Sequence, residues 1–166
     1  MPGRSHIILF AVCAALVAGA PARSVEITTS PAAGLINDGA RALDRGDVER
    51  GVRLTKEALE SHTLSSNVAA VGYNNLCVAY NNLEAYDRAL DYCNQAIKLN
   101  KRNWRFFNNR GTAKFGKGRL DGAIADYMRA LKINHRADIL KRNLEMALER
   151  RGEPVEDIEA YIRDNL

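Results

Sequence analysis

Few residues of this chain are of a type and spacing that could do chemistry together. The histidines are His6, His62 and His135. His6 stands at the edge of an apolar N-terminal run, and the other two fall in distant turn-like stretches. They cannot converge on one metal or one nucleophile without an unusual fold, so they read as surface turn residues. Gly116-Lys117-Gly118 followed by Gly122 shares residue types with a phosphate-binding loop. The spacing is wrong for one, however, and no strand-like run precedes it. No Ser–His pair and no paired carboxylates suggest nucleophilic or acid–base catalysis. The sequence therefore predicts a protein that is not an enzyme, with no cofactor and no metal. Cys77 and Cys93 are left as groups with chemistry of their own, since Cys13 lies inside the N-terminal run.

The elements that would hold these residues are helices. Over residues 104–134 the spacing predicts two amphipathic helices joined by a tight turn. The first covers about 104–117 and is broken by Gly118, and the second begins near Asp121. In the second, Ala123, Ile124, Tyr127, Ala130 and Leu131 form the apolar stripe of a helical period. Gly111, Ala123 and Ala130 are small where the helices must approach, and Tyr127 is large enough to fill the space between them. A hairpin of this kind cannot bury its own apolar face, and copies of it are present. Gly111, Ala123 and Ala130 lie 34 residues beyond Cys77, Ala89 and Ala96. Asn108-Asn109 lies the same distance beyond Asn74-Asn75, and the run 130–134 beyond 96–100.

A helix–turn–helix unit with this period resembles the tetratricopeptide repeat family. The resemblance covers most of the chain. It implies an all-α fold, an α-solenoid of antiparallel helix pairs wound as a right-handed superhelix. About three repeats and a C-terminal capping hairpin are expected. Composition agrees: the chain has 166 residues, only four of them Pro, and its high Ala and Leu content favours helix. A solenoid builds small cores between neighbours, so this length suffices. A net charge of +4 is mildly basic and does not by itself imply nucleic acid.

Residues 1–22 read as a secretory signal peptide. Arg4 and His6 precede an apolar run over 7–20 that is too short to span a membrane, and Ala20 and Ala22 suit cleavage after Ala22. A segment kept as an uncleaved anchor is the alternative. The predicted location is periplasmic or secreted. Residues 23–30 form a flexible leader, and the repeat domain covers 31–166. Its repeats fall at about 32–65, 70–103 and 104–137, with a degenerate capping repeat at 138–166. Ser30-Pro31 reads as N-cap and first helical position, and Arg45-Gly46-Asp47 as the first turn. The first repeat is longer than the period by four residues, which are assigned to a loop around 64–67. Pro154 is placed in the first turn of the last helix. Asp164, standing where the third repeat has Ala130, makes the outer face of that hairpin polar, as a cap requires.

In the second hairpin Cys77 and Cys93 face each other across the helix pair. Two readings stand. One is a disulfide stapling the repeat in an oxidising compartment, adding about 3 kcal/mol in the chain-entropy account. The other is a pair of buried free thiols filling small core positions.

The resemblance further implies that the first helix of each repeat lines a concave groove. Its lining would be Ala33, Ile36, Ala40 and Leu43, then Val71, Asn74, Val78 and Asn81, then Arg105, Asn108, Thr112 and Phe115. Asn side chains can pair with the backbone of an extended peptide, and Arg105 offers a carboxylate a planar fork. Asn75 and Asn109 are assigned to packing between repeats. Some members of the family clamp the C-terminal carboxylate of a chaperone with Lys, Asn and Arg. Here Asn75 and Arg105 fit two of those places. Asn109 stands where the family has a basic residue, and Ile36 and Ala40 stand where Lys and Asn are required. That specificity is not expected.

Between residues 92 and 120 the chain has no acidic residue but carries Lys98, Lys101, Arg102, Arg105, Arg110, Lys114, Lys117 and Arg119. One reading is a solvated face, with Trp104, Phe106, Phe107 and Phe115 in the core. The other is a basic patch that docks an acidic protein segment or an anionic lipid surface. The expected function is non-catalytic protein–protein interaction. The chain would be an adaptor or assembly factor that takes a partner's extended peptide or helix, with acidic residues, in the groove. Two alternatives are a self-associating module, hence a homo-oligomer, and peripheral membrane contact through the basic patch. An exported chain argues against nucleic acid.

Overall fold

The computed structural model describes residues 30–61 and 63–166. The segment read as a signal peptide, the leader up to residue 29, and His62 lie outside the described residues. Among the described residues there are eight helices and no strand. They are α1 (Pro31–Asp44), α2 (Val48–Leu59), α3 (Ser66–Asn82), α4 (Tyr86–Leu99), α5 (Trp104–Gly116), α6 (Leu120–Ile133), α7 (Asp138–Arg151) and α8 (Ile158–Asn165). Within the hairpins α1 packs on α2, α3 on α4 and α5 on α6. The hairpins stack through α2–α3, α4–α5 and α6–α7, while α1, α3, α5 and α7 touch in succession along one side. This is the α-solenoid that the period predicts.

Local signals set the helix ends. Ser30 accepts a hydrogen bond from the Ala33 N–H with Pro31 beside it, and Asp47 caps α2 by accepting from the Arg50 N–H. The hairpin turns need one residue in the left-handed region. Gly46, Gly118 and Gly152 supply it with φ of +80°, +73° and +89°. In the second hairpin the same place is held by Glu84 at φ +54°, which has a Cβ to accommodate.

Two expectations about boundaries are corrected. The four surplus residues form no loop. Counting one period back from the start of α5 reaches Ala70, yet α3 starts at Ser66, behind an N-cap in which Ser65 accepts from the Val68 N–H at 3.4 Å. The surplus is therefore an additional first turn of α3. It carries Val68 and, just before it, Leu64 onto Ala32, Ile36 and Ala58. The last helix does not start at Pro154. Gly152 ends α7, and α8 waits for Asp157, whose carboxylate accepts from the Glu159 and Ala160 N–H groups. A residue ahead of proline avoids the helical region, so a helix cannot run through Glu153-Pro154 from Gly152.

Each of the first three hairpins closes at one equivalent crossing point. In the first it is Gly39 against Thr55, and a Cβ on Gly39 would overlap the Thr55 hydroxyl. In the third it is Gly111 against Tyr127, where a Cβ would lie 2.6 Å from the ring. Tyr127 is buried there, and desolvation raises its hydroxyl pKa above the ordinary tyrosine value, the neighbouring Thr112 hydroxyl opposing the shift. In the second the residues are Cys77 and Cys93, whose sulfurs lie within bonding distance, with Cα atoms 5.2 Å apart and both side chains fully buried. The larger core lies beyond this point, where Phe106, Phe107, Leu131, Leu140, Leu144 and Leu148 pack between α5, α6 and α7.

Candidate binding groove

The side formed by α1, α3, α5 and α7 carries most of the residues expected to line a groove. In its middle Val71 is 39% exposed, and Asn74, Val78 and Asn81 are half-buried. On α5, Arg105 is exposed with its guanidinium 4.6 Å from the centre of the Trp104 ring. Asn108, Thr112 and Phe115 are half-buried along the same helix.

The asparagines form a chain of amide hydrogen bonds. Asn109 Nδ2 donates to Asn74 Oδ1 at 2.8 Å, and Asn143 Nδ2 donates to Asn108 Oδ1 at 2.8 Å. Asn108 Nδ2 donates to Asn109 Oδ1 at 3.2 Å, and Asn81 Nδ2 donates to the Asn109 carbonyl at 2.9 Å. Thr112 turns its hydroxyl to the Asn108 carbonyl at 3.1 Å. Asn75 is buried and donates to the Ile36 carbonyl at 3.1 Å, a link between hairpins. Asn74 and Asn108 therefore do two things at once. They stand on the groove side, and they hold successive inner helices in register. Their amides are fixed before any ligand arrives, which lowers the cost of binding one.

Two expected lining residues are not on the surface. Ile36 is 1% exposed and Leu43 is 8% exposed. Ile36 lodges against Gly72, whose missing side chain makes room, and the added turn of α3 covers it. Leu43 fills the space over Gly51 in its own hairpin. What the first hairpin offers instead is a shallow apolar depression, lined by Ala33, Asn37, Asn67, Val68 and Val71 over the edge of Ile36.

The first helix of the last hairpin continues the same side. One period beyond Arg105, Asn108 and Thr112 stand Ile139, Arg142 and Met146 on α7. All three are exposed, Ile139 to 41% and Met146 to 51%. Arg150 follows on that helix, with its guanidinium 4.8 Å from the Phe115 ring centre and Nη1 donating to the Phe115 carbonyl at 3.3 Å. The same 34-residue shift relates the α3 and α5 positions Val71/Arg105, Asn74/Asn108 and Val78/Thr112. Asp164, on which the expectation of a polar cap rests, lies on α8 and says nothing of the α7 surface.

Ion pairs neutralise three of the eight cations read as a basic patch. Arg110 makes a two-bond fork to Asp126, with Nε to Oδ2 at 2.9 Å and Nη2 to Oδ1 at 2.7 Å, and reaches Asn94 Oδ1 at 2.9 Å. Lys114 lies 2.7 Å from Asp126 Oδ2, and Asp126 is only 4% exposed. Lys117 pairs with Asp87, whose carboxyl is held below its usual pKa by that hydrogen bond and then by the lysine's charge. The sequence window between residues 92 and 120 ends before Asp126 and excludes Asp87, so the neutralising partners were out of view. Lys98, Lys101 and Arg102 remain exposed and without ion pairs among the described residues. Lys98 lies in the last turn of α4 and Lys101 and Arg102 in the turn before α5, whereas Arg119 sits beyond the far end of α5, roughly 20 Å away for a helix of that length.

Among the described residues no group of three or more His, Cys, Asp or Glu is placed to hold a metal, and no helix is long and apolar enough to cross a membrane.

Comparison with known proteins places this geometry. Tetratricopeptide repeat family models match residues 70–103 and 105–135. Heat shock protein STI1 of Saccharomyces cerevisiae is 27% identical over 107 residues, which cover 64% of this chain and 18% of that protein. Small glutamine-rich tetratricopeptide repeat-containing protein 2 of the same yeast is 28% identical over 122 residues, covering 72% of this chain and 34% of that protein. The chain thus spans about a fifth to a third of these curated relatives. Among solved structures, the first TPR of Spaghetti (RPAP3) bound to the HSP90 peptide SRMEEVD superposes with a TM-score of 0.67 at 22% identity, covering 73% of this chain and 95% of that one. These matches correct the predicted location. The relatives are chaperone cofactors of a cytosolic type, and the segment on which export rested lies outside the described residues, so a periplasmic or secreted location does not stand. What the hairpins, their period and these matches establish together is that the chain carries tetratricopeptide repeats, one over residues 70–103 and the next over 105–135.

Proposed function

We propose that this chain is a non-catalytic adaptor whose groove takes an extended, acidic segment of a partner protein. One observation carries the reading. The inner helices present a continuous row of side chains that combines exposed apolar groups, fixed amides and cations free of carboxylate partners among the described residues. Val71, Ile139 and Met146 supply apolar contact. Asn74 and Asn108 supply donors and acceptors matched to a peptide backbone. Arg105, Arg142 and Arg150 supply charge at the α5–α7 end, where a carboxylate would form charge-assisted hydrogen bonds. The Spaghetti (RPAP3) repeat domain was solved with the peptide SRMEEVD, in which three of the last four residues are acidic, the same ligand chemistry.

The segment bound differs from a chaperone C-terminus held by the carboxylate clamp. Ile36 and Ala40 replace the required Lys and Asn, and the Asn75 amide is buried against the Ile36 carbonyl. Self-association through an apolar first-hairpin groove has lost its main contacts, because Ile36 and Leu43 are spent on the chain's own core.

Fluorescence anisotropy with labelled extended peptides rich in Glu and Asp tests the proposal. Binding should weaken about tenfold, or about 1.4 kcal/mol, in Arg105→Glu/Asn108→Ala, and should fall as salt rises. Equal affinity for peptides whose Glu and Asp are changed to Gln and Asn would overturn it.

A further inference from the structure

The first three hairpins use one crossing point in three ways, and the middle one differs in kind. At Gly39/Thr55 and at Gly111/Tyr127 the helices come so close that one partner has no side chain. At Cys77/Cys93 both partners have one, the Cα atoms are 5.2 Å apart, and neither sulfur reaches solvent. Two side chains can occupy such a crossing only because the covalent bond brings their sulfurs well inside van der Waals contact. Two separate thiols must hold their sulfurs at van der Waals distance, which pushes the two Cβ atoms, and with them the two helices, away from each other.

The helix that would have to move is the centre of the groove. α3 carries Cys77, and Asn81 lies one turn further on. The Asn81 amide is 3.9 Å from Cys77 Sγ and donates to the Asn109 carbonyl on α5 at 2.9 Å. Asn74, three residues before Cys77, accepts from Asn109 at 2.8 Å. Asn75 ties the same helix to α1.

We propose that the Cys77–Cys93 bond sets the spacing of α3 from α4 and, through it, the register of Asn74 and Asn81 with α5. The groove is assembled in the disulfide state and loosened in the dithiol state. The conversion is thiol–disulfide exchange. A dithiol reductant gives two electrons and two protons, the sulfur–sulfur bond breaks to two thiols, and the reductant closes its own disulfide. With both sulfurs buried, exchange requires local opening of the hairpin, so it is slow on the folded protein.

The test needs no ligand. Alkylation of the denatured full chain should label only Cys13 before reduction and all three cysteines after it. The side-chain amides of Asn74, Asn81 and Asn109 are then followed by nitrogen–proton NMR in both states. Reduction should shift these resonances and speed their hydrogen exchange about tenfold or more. Cys77→Gly/Cys93→Tyr rebuilds the pair used by the third hairpin, and it should hold the disulfide-state spectrum with or without dithiothreitol. Three labelled cysteines before reduction would overturn the proposal, as would amide resonances unchanged after complete reduction. If the rebuilt variant does not fold, the comparison of the two states of the native chain still decides.

Discussion

Glu84 shows how much one residue can reveal about a repeat. Its three counterparts at the hairpin turns are glycines, and it alone holds a positive φ with a Cβ attached. A left-handed conformation costs an L-residue roughly 1–2 kcal/mol, whereas glycine adopts it freely at some loss of unfolded-state entropy. Glu84→Gly should therefore stabilise the fold by about 0.5–1 kcal/mol, read as a rise of a few degrees in thermal midpoint. A lower midpoint would mean that Glu84 makes a contact worth more than the backbone strain. The aligned turns show the substitution in the sequence, since Glu84 falls on Gly118 one period later. What the sequence hides is that the chain kept the turn and accepted the strain. The change of residue alone is equally consistent with a different turn.

Helices, and the pairs they form, are the scale at which the sequence was most and least legible. The hairpins are visible because their signals are local: a stripe, a small residue at each crossing and a turn. The fate of Ile36 is not local. Its burial depends on α3 beginning a turn early and laying Val68 over α1, which no residue near Ile36 announces. The cations of α5 misled for a related reason. Arg110 and Lys114 look unpaired along their own helix, yet α6 brings Asp126 between them. That carboxylate is nearly buried, while the two cations keep about a fifth of their side chains exposed. Asp126→Ala should cost about 1–3 kcal/mol in chemical denaturation, less than breaking a fully buried pair, because both cations can turn to water. Arg110→Ala should cost less than Asp126→Ala, since Lys114 still meets the carboxylate. If Asp126→Ala leaves the denaturation midpoint unchanged, the cluster contributes nothing to holding α5 on α6.

Taken whole, the molecule is a row of similar units whose stability is a sum of hairpins and the contacts between neighbours. Its binding side inherits that arrangement. The cations at the α5–α7 end, the amides in the middle and the apolar depression at the α1–α3 end grade along it without a break. The amide links repeat as well. Asn109 donates to Asn74, and Asn143 donates to Asn108, each across a separation of 35 residues. The donor in one unit stands beside the acceptor offered to the next. Such a joint has no built-in end, so the molecule is extensible. A gene carrying the codons for residues 104–137 in tandem should yield a longer rod, with Asn108 of the first copy meeting Asn109 of the second. Helical circular dichroism per residue should hold steady, and limited proteolysis should spare the inserted unit. Rapid cleavage inside it would show that the joint is specific to its native neighbours, and that the length of this array is fixed by chemistry rather than by inheritance.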